Sequence, residues 1–231
     1  MLKVTGLNQS YGESHTLWDV DLNIDVGTCT CLLGRNGMGK TTLLNSIMGL
    51  TPVSSGDIVF DQQNITKQAA ELRAKMQIGY VPQGRDIFSQ LTVEENLLIG
   101  LGARKDKVRK VPERIYELFP VLKDMLRRRG GDLSGGQQQQ LAIGRALSLD
   151  PKLLILDEPC EGIQPNIVHQ IGDVILQLNK EENLTVLLVE QKLPFARRVG
   201  QYFTIMDKGR SVANGKMTEL NDELIQRHLK V

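Results

Sequence analysis

No excess of charge of either sign marks this chain: 28 lysines and arginines stand against 27 acids, a net charge of +1 across 231 residues. A nucleic-acid binder would be expected to carry a basic footprint, and none exists here. The one basic run, Arg127-Arg128-Arg129, reads as a solvated helix end rather than a phosphate or lipid contact. Cysteines are few and odd in number (Cys29, Cys31, Cys160), and their spacing is not that of a zinc site. Cys29 and Cys31 fall on one face of a predicted strand as small core residues, and a reduced, cytoplasmic compartment is the default. No apolar run approaches the length of a membrane span, and Met1-Leu2-Lys3-Val4 opens no secretory signal. A soluble chain is expected, long enough for one large domain with a substantial core. Its three histidines (His15, His169, His228) are isolated from other ligand types and attract no role, while Trp18 and the few phenylalanines are expected in the core.

What is present is a phosphate loop. Gly34-Arg35-Asn36-Gly37-Met38-Gly39-Lys40-Thr41 fits G-x-x-x-x-G-K-[ST], between an apolar run (Cys29–Leu33) and a helical pattern (Thr42–Met48). Glycines let successive backbone N–H groups turn toward a polyphosphate, and the helix start adds its dipole. Lys40 would reach the β and γ phosphates and the Thr41 hydroxyl would ligate Mg²⁺. A Gly-rich turn with a chance lysine is the bland alternative, disfavoured by the strand and helix on either side.

Around it, Leu2–Leu7 and Val20–Val26 alternate as half-buried antiparallel strands, with Gln9-Ser10-Tyr11-Gly12 a turn between them. Thr28–Leu33 is continuously apolar, as a central parallel strand should be. Asp57–Phe60 is a short strand, Gln68–Gln77 a helix, and Ile78–Gln83 a strand ending at Pro82. From Gly84 to about Leu149 only helices are predicted. Thr92 and Glu95 form a capping box ahead of a stripe of Leu97, Leu98 and Leu101; Pro112 opens a helix to Phe119; a third begins after Ser134-Gly135-Gly136 and carries Leu141, Ile143, Ala146 and Leu147. Gln137–Gln140 reads as ordinary helix surface. Strands and helices then alternate at Leu153–Leu156, Asn166–Leu178, Thr185–Val189 and Leu193–Val199. A hairpin-like pair turns around Lys208-Gly209, and Asn221–Leu229 is a terminal helix.

Two further stretches carry chemistry. Leu153-Leu154-Ile155-Leu156-Asp157-Glu158 is a buried strand ending in two acids, suited to hold a metal through Asp157 and to polarise an attacking water through Glu158. Alone the pair could be solvated acids before Pro159; beside a phosphate loop that reading weakens. Leu133-Ser134-Gly135-Gly136-Gln137 is a second anion-binding helix start. One nucleotide has little use for two such grips, so the economical arrangement is two chains facing each other, each gripping the other's γ-phosphate; a plainly capped helix is the alternative.

The order of phosphate loop, Tyr80-Val81-Pro82-Gln83, Leu133–Gln137 and Leu153–Glu158 resembles the nucleotide-binding subunit of an ATP-binding cassette (ABC) transporter, over essentially the whole chain. The resemblance implies an α/β fold: a P-loop NTPase (RecA-like) core with an antiparallel β subdomain and a helical insertion, of ABC ATPase type. It implies one nucleotide-binding domain spanning 1–231, with the core at 1–83 and 150–231 and the helical subdomain at about 84–149. By the same resemblance the phosphate loop from Gly34 through Thr42 binds ATP, Tyr11 stacks on adenine, Gln83 binds Mg²⁺ and senses the transporter, and Ser134, Gly135, Gly136 and Gln137 grip ATP across a dimer. Lys40, Glu158 and Gln191 are the implied catalytic set, and Thr41, Gln83 and Asp157 the implied metal ligands. Implied partners are a second related ATPase, two membrane permeases and, indirectly, a solute-binding protein, with the chain peripheral on the inner membrane face and no nucleic acid.

Within that family the chain is similar to the short ATPases of branched-chain amino-acid importers, and in particular to the second ATPase of urea importers. Gly34-Arg35-Asn36-Gly37, Val81-Pro82-Gln83-Gly84-Arg85-Asp86-Ile87-Phe88, Gln137–Leu147 and Glu161-Gly162-Ile163-Gln164-Pro165 carry that likeness. Urea is therefore the expected solute, with branched-chain amino acids or amides as the alternative. Three positions depart from the general pattern: Gln164 where an aspartate is usual, Gln191 where a histidine senses the γ-phosphate, and Cys160 where serine or threonine is commoner. Glutamine can bond a phosphate oxygen but carries no charge. A soluble cassette ATPase acting on DNA or ribosomes would call for a coiled coil, a tandem cassette or a basic face. A P-loop kinase or GTPase would leave Leu133–Gln137 without a job, and the guanine-specific N-K-x-D is missing. No appended regulatory domain is expected.

Overall fold

A computed structural model describes residues 1–104 and 106–230. The chain begins as a hairpin of β1 (Leu2–Tyr11) and β2 (Ser14–Ile24), then enters β3 (Cys29–Leu33) and α1 (Lys40–Met48). Strands β4 (Ser55–Phe60) and β5 (Gln63–Asn64), helix α2 (Ala70–Lys75) and strand β6 (Ile78–Val81) follow. Next come four helices, α3 (Val93–Ile99), α4 (Glu113–Leu118), α5 (Pro120–Asp124) and α6 (Gly135–Ser148). The chain closes with β7 (Leu153–Asp157), α7 (Pro165–Glu182), β8 (Thr185–Val189), α8 (Leu193–Val199), the pair β9 (Tyr202–Asp207) and β10 (Arg210–Lys216), and α9 (Asp222–His228).

Among the described residues the strands form two sheets. One is antiparallel, ordered β2-β1-β4-β5; the other is ordered β10-β9-β3-β8-β7-β6 and is parallel except for β10. All residues of β3, β7 and β8 are buried, which is why their apolar runs are continuous: layers cover both faces. The alternation of a strand sorts them. Cys29, Cys31 and Leu33, with Leu154, Leu156, Val186 and Leu188, join the core under α6, α7 and α8. Leu32, Leu153, Ile155, Leu187 and Val189 join the opposite core, made with α1 and the antiparallel sheet. The expected α/β layout is the one observed: a mostly parallel sheet carrying the phosphate loop, an antiparallel sheet beside it, and a run of helices between β6 and β7.

Several details differ from the sequence reading. Strand β1 runs on through Tyr11, so Gln9-Ser10-Tyr11 is strand and the turn falls at Gly12-Glu13. A register shift between Val4 and Leu7 breaks the period of two, so that Leu7 and, two residues on, Gln9 turn inward to full burial. Trp18 is not core: it is 40% exposed, stacked on His15 with ring centroids 3.6 Å apart and Arg210 5.6 Å above it, because Leu17 and Val20 take the inward positions of β2. In α3 the inward residues are Val93, Asn96 and Leu97, while Leu98 faces out. Asn96 is accommodated because its amide bonds the Phe88 backbone in both directions and the Leu91 and Thr92 carbonyls. Gln139 and Gln140 are buried rather than surface, since α6 packs against α3, α5 and β6 at once, and Gln140 Nε2 donates to Gln170. Both capping boxes, Thr92 with Glu95 and Ser134 with Gln137, are present.

The far end of α1 is held by one side chain. Arg73, 2% exposed on α2, donates from Nη1 to the carbonyls of Ser46 and Ile47 at 2.7 Å each, and from Nε and Nη2 to Gln68 and Thr66 at 3.0 Å. Ser46 and Ile47 lie in the last turn of α1, where carbonyls lack intrahelical donors and the dipole favours a cation. Arg73→Met would fill the space but take this donor from the Ile47, Thr66 and Gln68 carbonyls, Ser46 O keeping the Gly49 N–H. It is expected to cost about 3 kcal/mol in urea unfolding; a loss under about 0.5 kcal/mol would mean water replaces the guanidinium.

Candidate active site

The phosphate loop hangs from the end of β3, and its shape depends on backbone that few residues adopt. Gly34 has φ 154°, and a Cβ there would lie 2.5 Å from the Met206 carbonyl; Gly39, at φ 96°, stands immediately before α1. No side chain caps α1 and no acid sits in its first turn, so its leading N–H groups are left for an anion. The loop is braced from outside. Trp18 N donates to Gly209 O at 2.8 Å and Gly209 N to Met38 O at 3.1 Å, which ties the first hairpin and the β9–β10 turn to the loop.

Lys40 points back across its own loop. It is 5% exposed, and its Nζ donates to Gly34 O at 2.8 Å and Arg35 O at 2.9 Å. Burial holds its pKa below the ordinary lysine value, an effect opposed by the Glu158 and Asp157 carboxylates. Glu158 Oε1 lies 3.7 Å from that nitrogen. Gln191 completes the arrangement: its Nε2 donates to Glu158 Oε1 and to Asn36 Oδ1, both at 2.6 Å. Glu158 itself has φ 48°, an uncommon conformation for a side chain of this length, and its N–H is anchored on Val189 O at 2.9 Å. Strands β7 and β8 are hydrogen-bonded neighbours, and that is what brings two loops 33 residues apart in sequence onto one oxygen.

Asp157 ends β7 one residue earlier and faces Thr41, whose hydroxyl donates to Oδ2 at 3.3 Å. The other oxygen, Oδ1, is buried without a partner. Burial, with the Glu158 carboxylate alongside, pushes the Asp157 carboxyl up to about 6. An oxygen-seeking divalent cation fits here: it would find a hydroxyl, an orphaned carboxylate oxygen and local negative charge. Among the described residues no group of three or more His, Cys, Asp or Glu could hold a metal, so its other ligands would come from phosphates and water.

The raised carboxyl has a measurable consequence. Because the folded pKa lies above the unfolded value near 3.9, the folded chain binds the extra proton. Stability is then greatest below about pH 4 and falls as pH rises through 6. Relative to Asp157→Asn, the wild-type chain without added metal should lose about 3 kcal/mol between pH 4 and pH 7. Denaturant melts of both proteins across that range would show it; a constant difference would place Asp157 in water.

The remaining residues divide. Ser134, Gly135, Gly136 and Gln137 line a cavity with Gly162 and Gln164, sharing no residue with the cavity of Gly34, Arg35, Asn36 and Gln191. The two helix starts are therefore not one pocket within the chain. Gln83 is exposed, and its amide donates to Glu161 Oε2 at 2.8 Å. Tyr11 is half exposed at the end of β1, and Thr42 bonds Ser46 Oγ inside α1. Sequence reasoning missed Glu190: it follows an apolar strand just as Glu158 does, a signal of the same kind left unused.

The family model described as ABC transporter matches residues 17–161. This chain belongs to the ABC transporter family. It is 40% identical over 213 residues to the high-affinity branched-chain amino acid transport ATP-binding protein BraG of Pseudomonas aeruginosa, covering 92% of this chain and 91% of that one. It is 39% identical over 221 residues to the probable branched-chain amino acid transport ATP-binding protein LivF of Archaeoglobus fulgidus, covering 95% and 94%. Its fold superposes with a TM-score of 0.85, at 26% identity and covering 94% of this chain and 99% of the other, on the ATP-binding cassette MJ0796, solved as a dimer bound to ADP and Pi in a post-hydrolysis state. As an ABC transporter ATP-binding subunit the chain binds nucleotide and hydrolyses ATP. Among its described residues no helix is long and apolar enough to cross a membrane.

Proposed function

We propose that this ABC subunit powers uptake of branched-chain amino acids or related amides, working as one half of an ATP sandwich beneath a pair of membrane permeases. The observation that carries the catalytic part is the single oxygen, Glu158 Oε1, shared by Gln191 and approached by Lys40. For the solute, the likeness to relatives named for branched-chain amino acid transport favours that alternative over urea, the expectation drawn from motifs alone.

In this reading the N–H groups from Arg35 through Thr42 cradle the phosphates, and the Lys40 ammonium exchanges its loop carbonyls for β and γ oxygens. Thr41 and Asp157, with Gln83, would hold Mg²⁺, which supplies charge neutralisation at the transferred phosphoryl group. Glu158 orients the attacking water and takes its proton. Gln191 holds Glu158 in place and offers its amide to the γ-phosphate. Ser134–Gln137 meet the triphosphate of a second cassette, consistent with their separation from the chain's own phosphate loop, and Gln164 lies at that same cavity. Tyr11 stacks on adenine. The helical segment 84–149, with Gln83, forms the face that meets the permeases on the inner side of the membrane, and a solute-binding protein acts through them.

Uptake decides the solute. Cells lacking this subunit should lose accumulation of labelled leucine while urea uptake is unchanged, and wild type but not Glu158→Gln should restore it. Loss of urea uptake with leucine unaffected would reverse the assignment.

A further inference from the structure

Behind the reactive pair lies a buried carboxylate that the steps above do not use. Glu190 is 3% exposed at the end of β8. Its Oε1 accepts from the backbone N–H of Gln191 at 2.8 Å and of Lys192 at 2.9 Å, so one oxygen closes the turn in which Gln191 sits. Its other oxygen is buried with no hydrogen-bond partner, and burial, with the Glu190 carboxylate nearby, pushes the Cys160 thiol well above its ordinary range. Lys192 then reaches across: its Nζ donates to Cys160 O at 2.8 Å. Cys160 lies two residues beyond Glu158, so the Lys192 side chain ties the turn after β8 to the turn after β7, close to where Glu158 and Gln191 meet.

We infer that Glu190 is a positioning residue for hydrolysis: by closing the turn after β8 it aims the Gln191 amide at Asn36 and Glu158, and by fixing the backbone of Lys192 it holds the side chain that ties this turn to the one after β7. This rests on the role proposed for Gln191. The energetic argument is one of alternatives. An apolar residue at 190 leaves the Gln191 and Lys192 N–H groups without their acceptor, and the turn relaxes to find water. Gln191 reaches both acceptors at 2.6 Å, so a shift of about 1 Å would part it from one or both, and misplacement on that scale costs up to about 10²-fold in rate. Nucleotide binding depends on the phosphate loop, which is held by Gly209 and Trp18 from the other side. A positioning defect should therefore fall on kcat and spare affinity for ATP.

The test is a double-mutant cycle on the full-length chain purified with its partner subunits, reading kcat, KM for ATP and thermal stability. Glu190→Ala is expected to lower kcat about tenfold with KM unchanged. Glu190→Gln should restore most of it, since its amide oxygen can accept from the same two N–H groups. In a Gln191→Ala background, Glu190→Ala should cost little further, because the group it aims is gone. An equal loss in both backgrounds would make Glu190 merely structural and overturn the inference, as would failure of Glu190→Gln to rescue. If Glu190→Ala does not fold, Glu190→Asp, whose carboxylate stops one methylene short, takes its place in the same cycle. Wild-type turnover of Gln191→Ala alone would instead remove the role of Gln191, a result distinguishable because it needs no change at 190.

Discussion

Lys40→Ala is expected to abolish ATP hydrolysis, with turnover reduced by about 10³-fold or more and nucleotide binding strongly weakened. The reasoning starts from burial. The Lys40 ammonium is enclosed by its own loop and donates to the Gly34 and Arg35 carbonyls, so it is a fixed cation held ready for exchange onto phosphate oxygens. Alanine removes the principal point charge from a site that also holds Asp157 and Glu158, leaving two carboxylates to repel an incoming triphosphate. Arginine should not substitute, because its planar fork cannot fold back into a loop shaped around a single nitrogen. Phosphate release and binding of a fluorescent ATP analogue measure the two effects separately. Turnover resembling wild type would refute the phosphate-loop assignment.

Glu158→Gln should behave differently: ATP binding is retained while chemistry slows by about 10²–10⁴-fold, the usual contribution of a general base. The substitution is nearly isosteric, and an amide oxygen can still accept from Gln191, so the geometry of the site survives while the proton acceptor does not. ATP that binds and is not cleaved should hold two cassettes together, seen as an ATP-dependent dimer by size exclusion. Gln191→Ala should lose less, about tenfold, because a neutral amide makes a weaker contact to the γ-phosphate than a charged donor. If Glu158→Gln keeps full turnover in the assembled complex, hydrolysis belongs to the partner's site.

The phosphate loop, the two acids at the end of β7 and both capping boxes were readable because each is local. The chemistry is spelled by neighbours in sequence, and a buried parallel strand announces itself as an unbroken apolar run. What was not readable depended on how elements stack. Gln139 and Gln140 look like surface on a helix considered alone, and only the packing of α6 against several neighbours buries them. Gln9 turns inward and Trp18 outward because bulges in the first hairpin reset its alternation, which no period count reveals. Gln191 was singled out as a replaced histidine, yet its bond to Glu158 requires knowing that β7 and β8 are adjacent. Glu190 escaped for the same reason: a lone acid after a strand acquires meaning only once the N–H groups and thiol around it are seen.

The position of β3 sets a constraint on how the protein can be made. Its residues, 29–33, hydrogen-bond to no strand near them in sequence; their partners are β8, at 185–189, and β9, at 202–207. The turn that braces Met38 comes later still, at Gly209. A ribosome therefore releases the phosphate loop early but cannot see it assembled until nearly the whole chain has emerged, so the nascent first half has no ATP grip to stabilise it. Long-range pairings of this kind are slow to form and leave apolar strands waiting. Vectorial synthesis thus withholds nucleotide binding until the end, and the first ATP this chain can hold meets an essentially complete cassette.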